Sequence, residues 1–245
     1  MARPKAEAGK TRKPWTISWF SKALWKRILL RGAIVLALLP VALTIIYSVV
    51  PPISTLMIGR YAQLLWVDRQ YTSLEDISPN LVKSVITSED SHFCEHGGVD
   101  WTALGDQIDI LISEGEAARG ASTLTMQTAK NLFLWNGRSY IRKGLEIPLA
   151  VLMDAMLTKR RILEIYLNVA EWGEGIFGAE AAAQAWFGVN AKDLSRRQAA
   201  RLATALPNPH ARNPAKPSPG HRNLAAKNLK RIQVAGPIFE CALRS

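Results

Sequence analysis

A chain of 245 residues has room for one soluble domain of ordinary size together with a targeting segment. Hydrophobic residues at 48% and charged ones at 21% exclude a disordered polymer and call for a packed core. The net charge of +11, from 31 Lys+Arg against 20 Asp+Glu, calls for a polyanionic partner: nucleic acid, anionic lipid headgroups or a phosphate-bearing substrate. Composition does not choose among these three. The only cysteines are Cys94 and Cys241, so no disulfide framework can be read, and a single bridge between them is neither required nor excluded. Four scattered histidines without Cys/His ligand spacing argue against a structural zinc site.

Gly32 to Val50 carries no charge and is apolar on every face. At about 1.5 Å per residue such a run approaches a hydrocarbon core of roughly 30 Å. Pro40 would break a soluble helix but is tolerated in a spanning one. Nine Lys and Arg residues precede the run, from Arg3 to Arg31, opposed only by Glu7, which predicts a cytoplasmic N-terminus with everything after Val50 outside. No small-x-small cleavage site follows, so the segment reads as an uncleaved anchor. The expected organisation is a basic tail at 1–28, a transmembrane helix at 29–50, an apolar juxtamembrane segment at 51–65, a catalytic domain at 66–236 and a C-terminal tail at 237–245.

Beyond the anchor, Pro51-Pro52 ends the helix, and Ile53–Trp66 is apolar enough to lie against a bilayer. Ser78-Pro79 signals a helix start, with Leu81, Val82, Val85 and Ile86 as its apolar stripe. Asp100, Ser122, Ser139 and Thr158 are expected to cap four further helices, and Pro148 is expected to kink or restart the one it falls in. Gly173, Gly175 and Gly178 mark a turn before the Ala-rich run Ala179–Trp186, which Gly188 stops; a last helix is expected over Ala225–Val234. Alternating strand patterns are scarce, so the fold class is mainly α with, at most, a small sheet.

Three blocks carry chemistry. In Glu89–Gly98, Glu89 continues the apolar stripe four residues after Val85 and sits near a helix C-terminus. Desolvation and the helix dipole there both raise a carboxylate's pKa, as a general base near neutral pH requires, although a Glu at a helix end is commonly plain surface. In Gly120–Asn131, Gln127, Lys130 and Asn131 share one helix face, suited to sugar and phosphate oxygens or simply to solvent. Arg142 and Glu146 form an i, i+4 pair, which reads either as a surface ion pair or as a second carboxylate held by cations.

Together with Lys159–Asn168, the glycines up to Gly188 and Leu206–Pro209, these blocks resemble the glycosyltransferase domain of peptidoglycan synthases. The resemblance is closest to the monofunctional biosynthetic peptidoglycan transglycosylases and covers nearly the whole chain after Trp66. It implies a lysozyme-like glycosyltransferase domain behind one N-terminal transmembrane helix, in the cell inner membrane, with its catalytic domain periplasmic. The implied activity is polymerisation of lipid II into glycan strands with release of polyprenyl pyrophosphate. Glu89 is then the base at the acceptor hydroxyl and Glu146 the second catalytic carboxylate. Lys130, Arg138 and Arg142 face the pyrophosphate, while Ser122, Thr123, Gln127 and Asn131 line the groove. Asp90, Phe93 and His96 shape the first block rather than react.

No cofactor is required on this reading, no metal site is expected, and a divalent cation (Mg or Mn) at the pyrophosphate is left open. The expected partners are lipid II, the growing glycan-chain lipid and the membrane, with other cell-wall synthases as candidates and no nucleic acid. The chain contains no Ser-x-x-Lys, so no transpeptidase activity is expected. A lytic muramidase and a membrane-tethered DNA- or lipid-binding protein are the competing readings; the first has no pyrophosphate for its cations to hold, the second no use for Glu89. Cys94, close to Glu89, is expected to make activity sensitive to thiol reagents.

Overall fold

The computed structural model describes residues 22–115, 120–135, 137 and 139–243. The chain forms two compact units, Met1–Leu39 and Pro40–Ser245. Helix α1 spans Lys22–Tyr47, and its residues up to Leu39 make up the described part of the first unit. Leu29, Leu30, Val35 and Leu36 there are all more than 60% exposed. From Leu24 to Tyr47 the mean hydropathy is 2.4, and at ~1.5 Å per residue the helix is long enough to cross a bilayer. Pro40 lies inside it without ending it.

The second unit is helical around one buried helix. Short helix α2 covers Thr55–Ala62, followed by strand β1 at Asp68–Arg69 and helix α3 at Pro79–Glu89. Helices α4 (Trp101–Glu114), α5 (Leu124–Phe133), α6 (Tyr140–Met156) and α7 (Lys159–Val169) come next. A hairpin of β2 (Glu171–Gly173) and β3 (Ile176–Phe177) leads into α8 (Ala179–Phe187). Helices α9 (Arg196–Ala205), α10 (Pro219–Val234) and α11 (Glu240–Leu243) complete the unit. The sheet order is β1-β3-β2, with β1 parallel and β2 antiparallel to β3.

Helix α7 is the hub because its sequence leaves it no polar face after the first turn: Ile162, Leu163, Ile165, Tyr166, Leu167, Asn168 and Val169 are all buried. Its one buried amide is fully used. Asn168 accepts from the Thr72 amide at 2.8 Å and donates to the Thr72 and Glu164 carbonyls, each at 2.8 Å. Helix α5 packs on α6 and α7, while α3 packs on α9 and α10. The end of α3 meets α5 through polar contacts, Glu89 with Gln127 and Asp90 with the Leu124 amide, and Tyr166 of α7 reaches Gln127 from the hub.

Ser78, Asp100, Ser139 and Thr158 cap their helices as their sequence signals require, and Gly188 closes α8 in the left-handed conformation. Two expectations fail. Helix α5 is capped by Thr123, whose oxygen accepts the Met126 amide at 3.1 Å, not by Ser122. Helix α6 runs through Pro148 without a restart. Proline there removes the bond to the Gly144 carbonyl, but both residues are exposed, so water can satisfy that carbonyl.

The cysteines also differ from the expectation of a reactive thiol. Cys94 and Cys241 form a disulfide that ties α11 to the loop after α3. Neither offers a thiol to a reagent, because each sulfur is already the other's partner.

Candidate active site

Glu89 is the last residue of α3, at the end of the buried face of Leu81, Val82, Val85 and Ile86. One carboxylate oxygen accepts a hydrogen bond from Gln127 Nε2 on α5 at 3.1 Å. Gln127 is itself oriented by the Tyr166 hydroxyl on α7, which donates to its Oε1 at 3.1 Å. The other oxygen, Oε1, is buried and has no hydrogen-bond partner among the described residues. Burial pushes the Glu89 pKa up, and the Gln127 hydrogen bond, the neighbouring Ser88 hydroxyl and the charges of Lys130 and Arg212 only partly oppose it. The result is a carboxylate that holds a proton more readily than usual and keeps one lone-pair face unfilled.

The neighbouring Asp90 does different work. Its carboxylate accepts the Leu124 amide at 2.8 Å, at the N-terminus of α5, and meets His96 Nε2 at 3.0 and 3.1 Å. A carboxylate at a helix N-terminus is favoured by the free amides there. Thr123 adds a second tie, donating to the Gly98 carbonyl at 2.7 Å. Phe93 is fully buried, and Lys159 Nζ lies 4.9 Å from its ring centre while bonding the His96 carbonyl and Asp154, each at 2.6 Å. Gly98 cannot be replaced by a larger residue without movement: its φ is +89°, and a Cβ would meet the Ala150 carbonyl oxygen at 2.6 Å. These contacts lock the first block against α5 and α6, so Asp90, Phe93 and His96 build the loop that follows Glu89.

Glu146 on α6 is buried, with 3% of its side chain exposed. It pairs with Arg142 and, at 2.9 Å, with Lys143, which also donates to Ser122 Oγ at 2.6 Å. Ser122 thus belongs to the second carboxylate's cluster. Lys130, on the face of α5 shared with Gln127 and Asn131, makes no ion pair with any described residue. Burial lowers its pKa; the charges of Glu146 and Glu89 raise it, and those of Arg142 and Lys143 lower it. One ammonium therefore senses both carboxylates and both cations.

Two cavities flank the Glu89–Gln127 bond, each lined by one of its partners. The first, about 290 Å³, is lined by Gln127, Lys130, Asn131 and Tyr166, with Thr55 and Leu56 from α2 at its edge. The second, about 220 Å³, is lined by Glu89, Asp100, Ser122, Thr123 and Arg231. The structure thus gathers Glu89, Ser122 and Thr123 around one cavity and Gln127, Lys130 and Asn131 around the other, with Arg142 and Glu146 clustered behind Ser122. Arg138 lies outside the described residues. Among the described residues there is no group of three or more His, Cys, Asp or Glu placed to hold a metal ion.

Sequence reading missed the hydroxyl of Tyr166 and took Lys143 and Lys159 only as cations for a phosphate groove, without their contacts to Glu146, Ser122, Asp154 and His96. Tyr166 fell in an apolar stripe, and only the fold shows that its hydroxyl reaches another helix. Lys143 was legible in principle, since it stands three residues before Glu146 on the same helix. Lys159 carried no local signal for its place beneath Phe93.

The family model described as "Transglycosylase" matches residues 57–233. A biosynthetic peptidoglycan transglycosylase of Brucella suis biovar 1 (strain 1330) is 54% identical over 216 residues, covering 87% of this chain and 96% of that protein. One of the same name from Mesorhizobium japonicum is 54% identical over 220 residues, covering 89% and 93%. Another, from Agrobacterium fabrum, is 50% identical over 224 residues, covering 91% and 98%. With a helical body, two carboxylates beside a cation-lined cavity and similarity over most of its length, the chain belongs to the transglycosylase family.

Proposed function

We propose that this chain extends glycan strands from lipid II by inverting glycosyl transfer, with Glu89 as the base. The chain is a peptidoglycan glycosyltransferase acting in cell-wall synthesis. What supports the finer reading is one observation above all: Oε1 of Glu89 is buried, unpartnered and part of a carboxylate whose pKa is raised. Such an oxygen can take the proton from the acceptor sugar's 4-hydroxyl. The acceptor oxygen then forms a bond to the anomeric carbon of the growing chain as that carbon's bond to the pyrophosphate oxygen breaks. The polyprenyl pyrophosphate leaves with the electron pair, and Glu89 passes its proton to solvent.

The departing pyrophosphate needs positive charge placed in advance. Lys130 lines the first cavity without an ion-pair partner of its own among the described residues, and Arg142 and Lys143 stand behind Ser122. Arg138 is assigned to the same role. Glu146 keeps the two cations on α6 in place and does not transfer a proton. These side chains supply the charge without a metal, and a divalent cation remains an optional addition to be tested with chelator.

The substrates hang from a bilayer, and the first cavity borders α2, around which Ile53, Ile58, Tyr61, Leu64 and Trp66 are exposed. We assign that edge to the lipid end. The α1 helix serves as a single-pass anchor with its basic tail in the cytoplasm and the domain in the periplasm. The Cys94–Cys241 bridge favours that side, since disulfides persist in oxidising compartments. No transpeptidase step is assigned. The test is lipid II polymerisation by the native protein and by Glu89→Gln, with and without chelator. Polymer from the native protein and almost none from the variant is the expected outcome; release of soluble fragments from finished cell wall would instead make it a muramidase.

A further inference from the structure

Charge in the second unit is sharply segregated. From residue 32 to 193 the sequence carries 18 acidic against 12 basic residues, yet between Asp193 and Glu240 it has nine Lys and Arg and no Asp or Glu. Part of this basic run borders the site. A third cavity, about 250 Å³, is lined by Ser88, Arg212, Lys227, Asn228 and Arg231. Ser88 and Arg231 line both this cavity and the one that contains Glu89, so the two adjoin there. Lys227 and Arg231 stand four residues apart on one exposed helix face, and neither pairs with a described carboxylate. Arg212 is held by a 2.6 Å bond from its guanidinium to the Thr204 carbonyl, and its charge reaches Glu89.

A second feature points to a ligand. Asn228 is buried, with 4% exposed, and its Nδ2 donates to the Ser84 carbonyl at 2.9 Å, fixing α10 to α3. Its Oδ1 is buried without a hydrogen-bond partner among the described residues, although the residue lines the same cavity. An unfilled carbonyl acceptor among three cations suits a chain with amide N–H groups and carboxylates, which is the chemistry of a peptide.

We infer that the Arg212–Lys227–Asn228–Arg231 groove on α10, beside Glu89, binds the carboxylate-bearing peptide stems of the glycan. This inference rests on the polymerase reading for the identity of its ligand. The lipid end is assigned to the α2 edge of the first cavity; the groove on α10 adjoins that cavity at Pro207, but no α2 residue lines it. Away from α2 the anions that a glycan strand offers are its peptide carboxylates, and amidating them tells their contribution from that of the pyrophosphate. Cations along a groove hold a strand by many weak contacts, which lets it advance after each addition.

The test uses the full chain in detergent and two substrates: lipid II with free peptide carboxylates, and the same lipid II with those carboxylates amidated. Lys227→Ala, which lies outside the Glu89 cavity, is expected to lower the elongation rate several-fold on the free-acid substrate, more at low salt than at high, and to shorten the strands. On the amidated substrate, native and variant should run alike. Equal loss on both substrates, or no loss on either, overturns the inference. Equilibrium binding of a soluble fluorescent disaccharide-peptide, which needs no turnover, separates the two readings. Salt-sensitive binding that the variant loses supports the groove even if the native protein makes no polymer, a result that would sink the polymerase reading alone. Absence of such binding sinks the groove. Loss of binding only to vesicles of anionic phospholipid would show the basic face to be a membrane contact instead.

Discussion

The end of α3 and the first half of α6 each present a glutamate near the same cavities, in opposite states. Glu89 has a single amide donor, one buried oxygen without a partner and a raised pKa. Glu146 is the more deeply buried of the two and is met on both oxygens, by Arg142 and Lys143. Burial without a counter-ion makes a proton acceptor, whereas burial with two counter-ions makes an anchor for positive charge. Residue type is the same in both places; the partners decide the role.

The largest expected effect falls on the α3 side. Glu89→Gln should reduce polymerisation by roughly 10²- to 10⁴-fold, the usual contribution of a positioned base, while raising the melting temperature. The sign follows from the raised pKa: a carboxylate whose folded pKa exceeds its unfolded value contributes most below the unfolded pKa and loses that contribution as pH rises through the folded one. The variant's thermal advantage should therefore be present at neutral pH and shrink toward pH 4. In the native protein, the acidic limb of kcat/KM should lie above the ordinary Glu value. A variant that melts lower than native at neutral pH would break the comparison at its stronger end.

The loop beyond Glu89 is pinned by the disulfide, and the α6 side has no such tie. Reducing the bridge, or Cys94→Ser/Cys241→Ser, should cost about 4 kcal/mol in denaturant melts, since the loop it closes is long. Native protein should meanwhile ignore thiol alkylators until a reductant is added. On the α6 side, Glu146→Ala leaves Arg142, 12% exposed, without its counter-ion and should cost about 3 kcal/mol. Removing Arg142 as well should recover part of that loss, and a cycle of the two single and one double variants measures it. The smallest effect is Tyr166→Phe, which frees Gln127 from its orienting hydroxyl; about 1 kcal/mol and a rate lowered a few-fold are expected.

How much of this could be read from the sequence followed the range of each interaction. Caps at Ser78, Asp100, Ser139 and Thr158 are decided within three or four residues and were legible. Glu89 was legible as the end of an apolar stripe, but its unpartnered oxygen was not, because Gln127 and Tyr166 reach it from two other helices. Ser122 was misplaced by one residue as a cap because both it and Thr123 offer a hydroxyl, and only the approach of Lys143 separates them. Pro148 was misjudged because helix rules penalise its missing bond without knowing that Gly144 faces water. The pairing of Cys94 with Cys241 required the fold itself, since 147 residues separate them.

That separation gives the disulfide a use as a clock. The bond cannot close until nearly all of the helical body has left the ribosome and α11 has docked beside the loop after α3. A chain caught before that moment carries two free thiols; one caught after carries none. On a non-reducing gel the crosslinked form should run faster than the open one, so a pulse-chase reads the time from synthesis to a finished fold without any assay of activity.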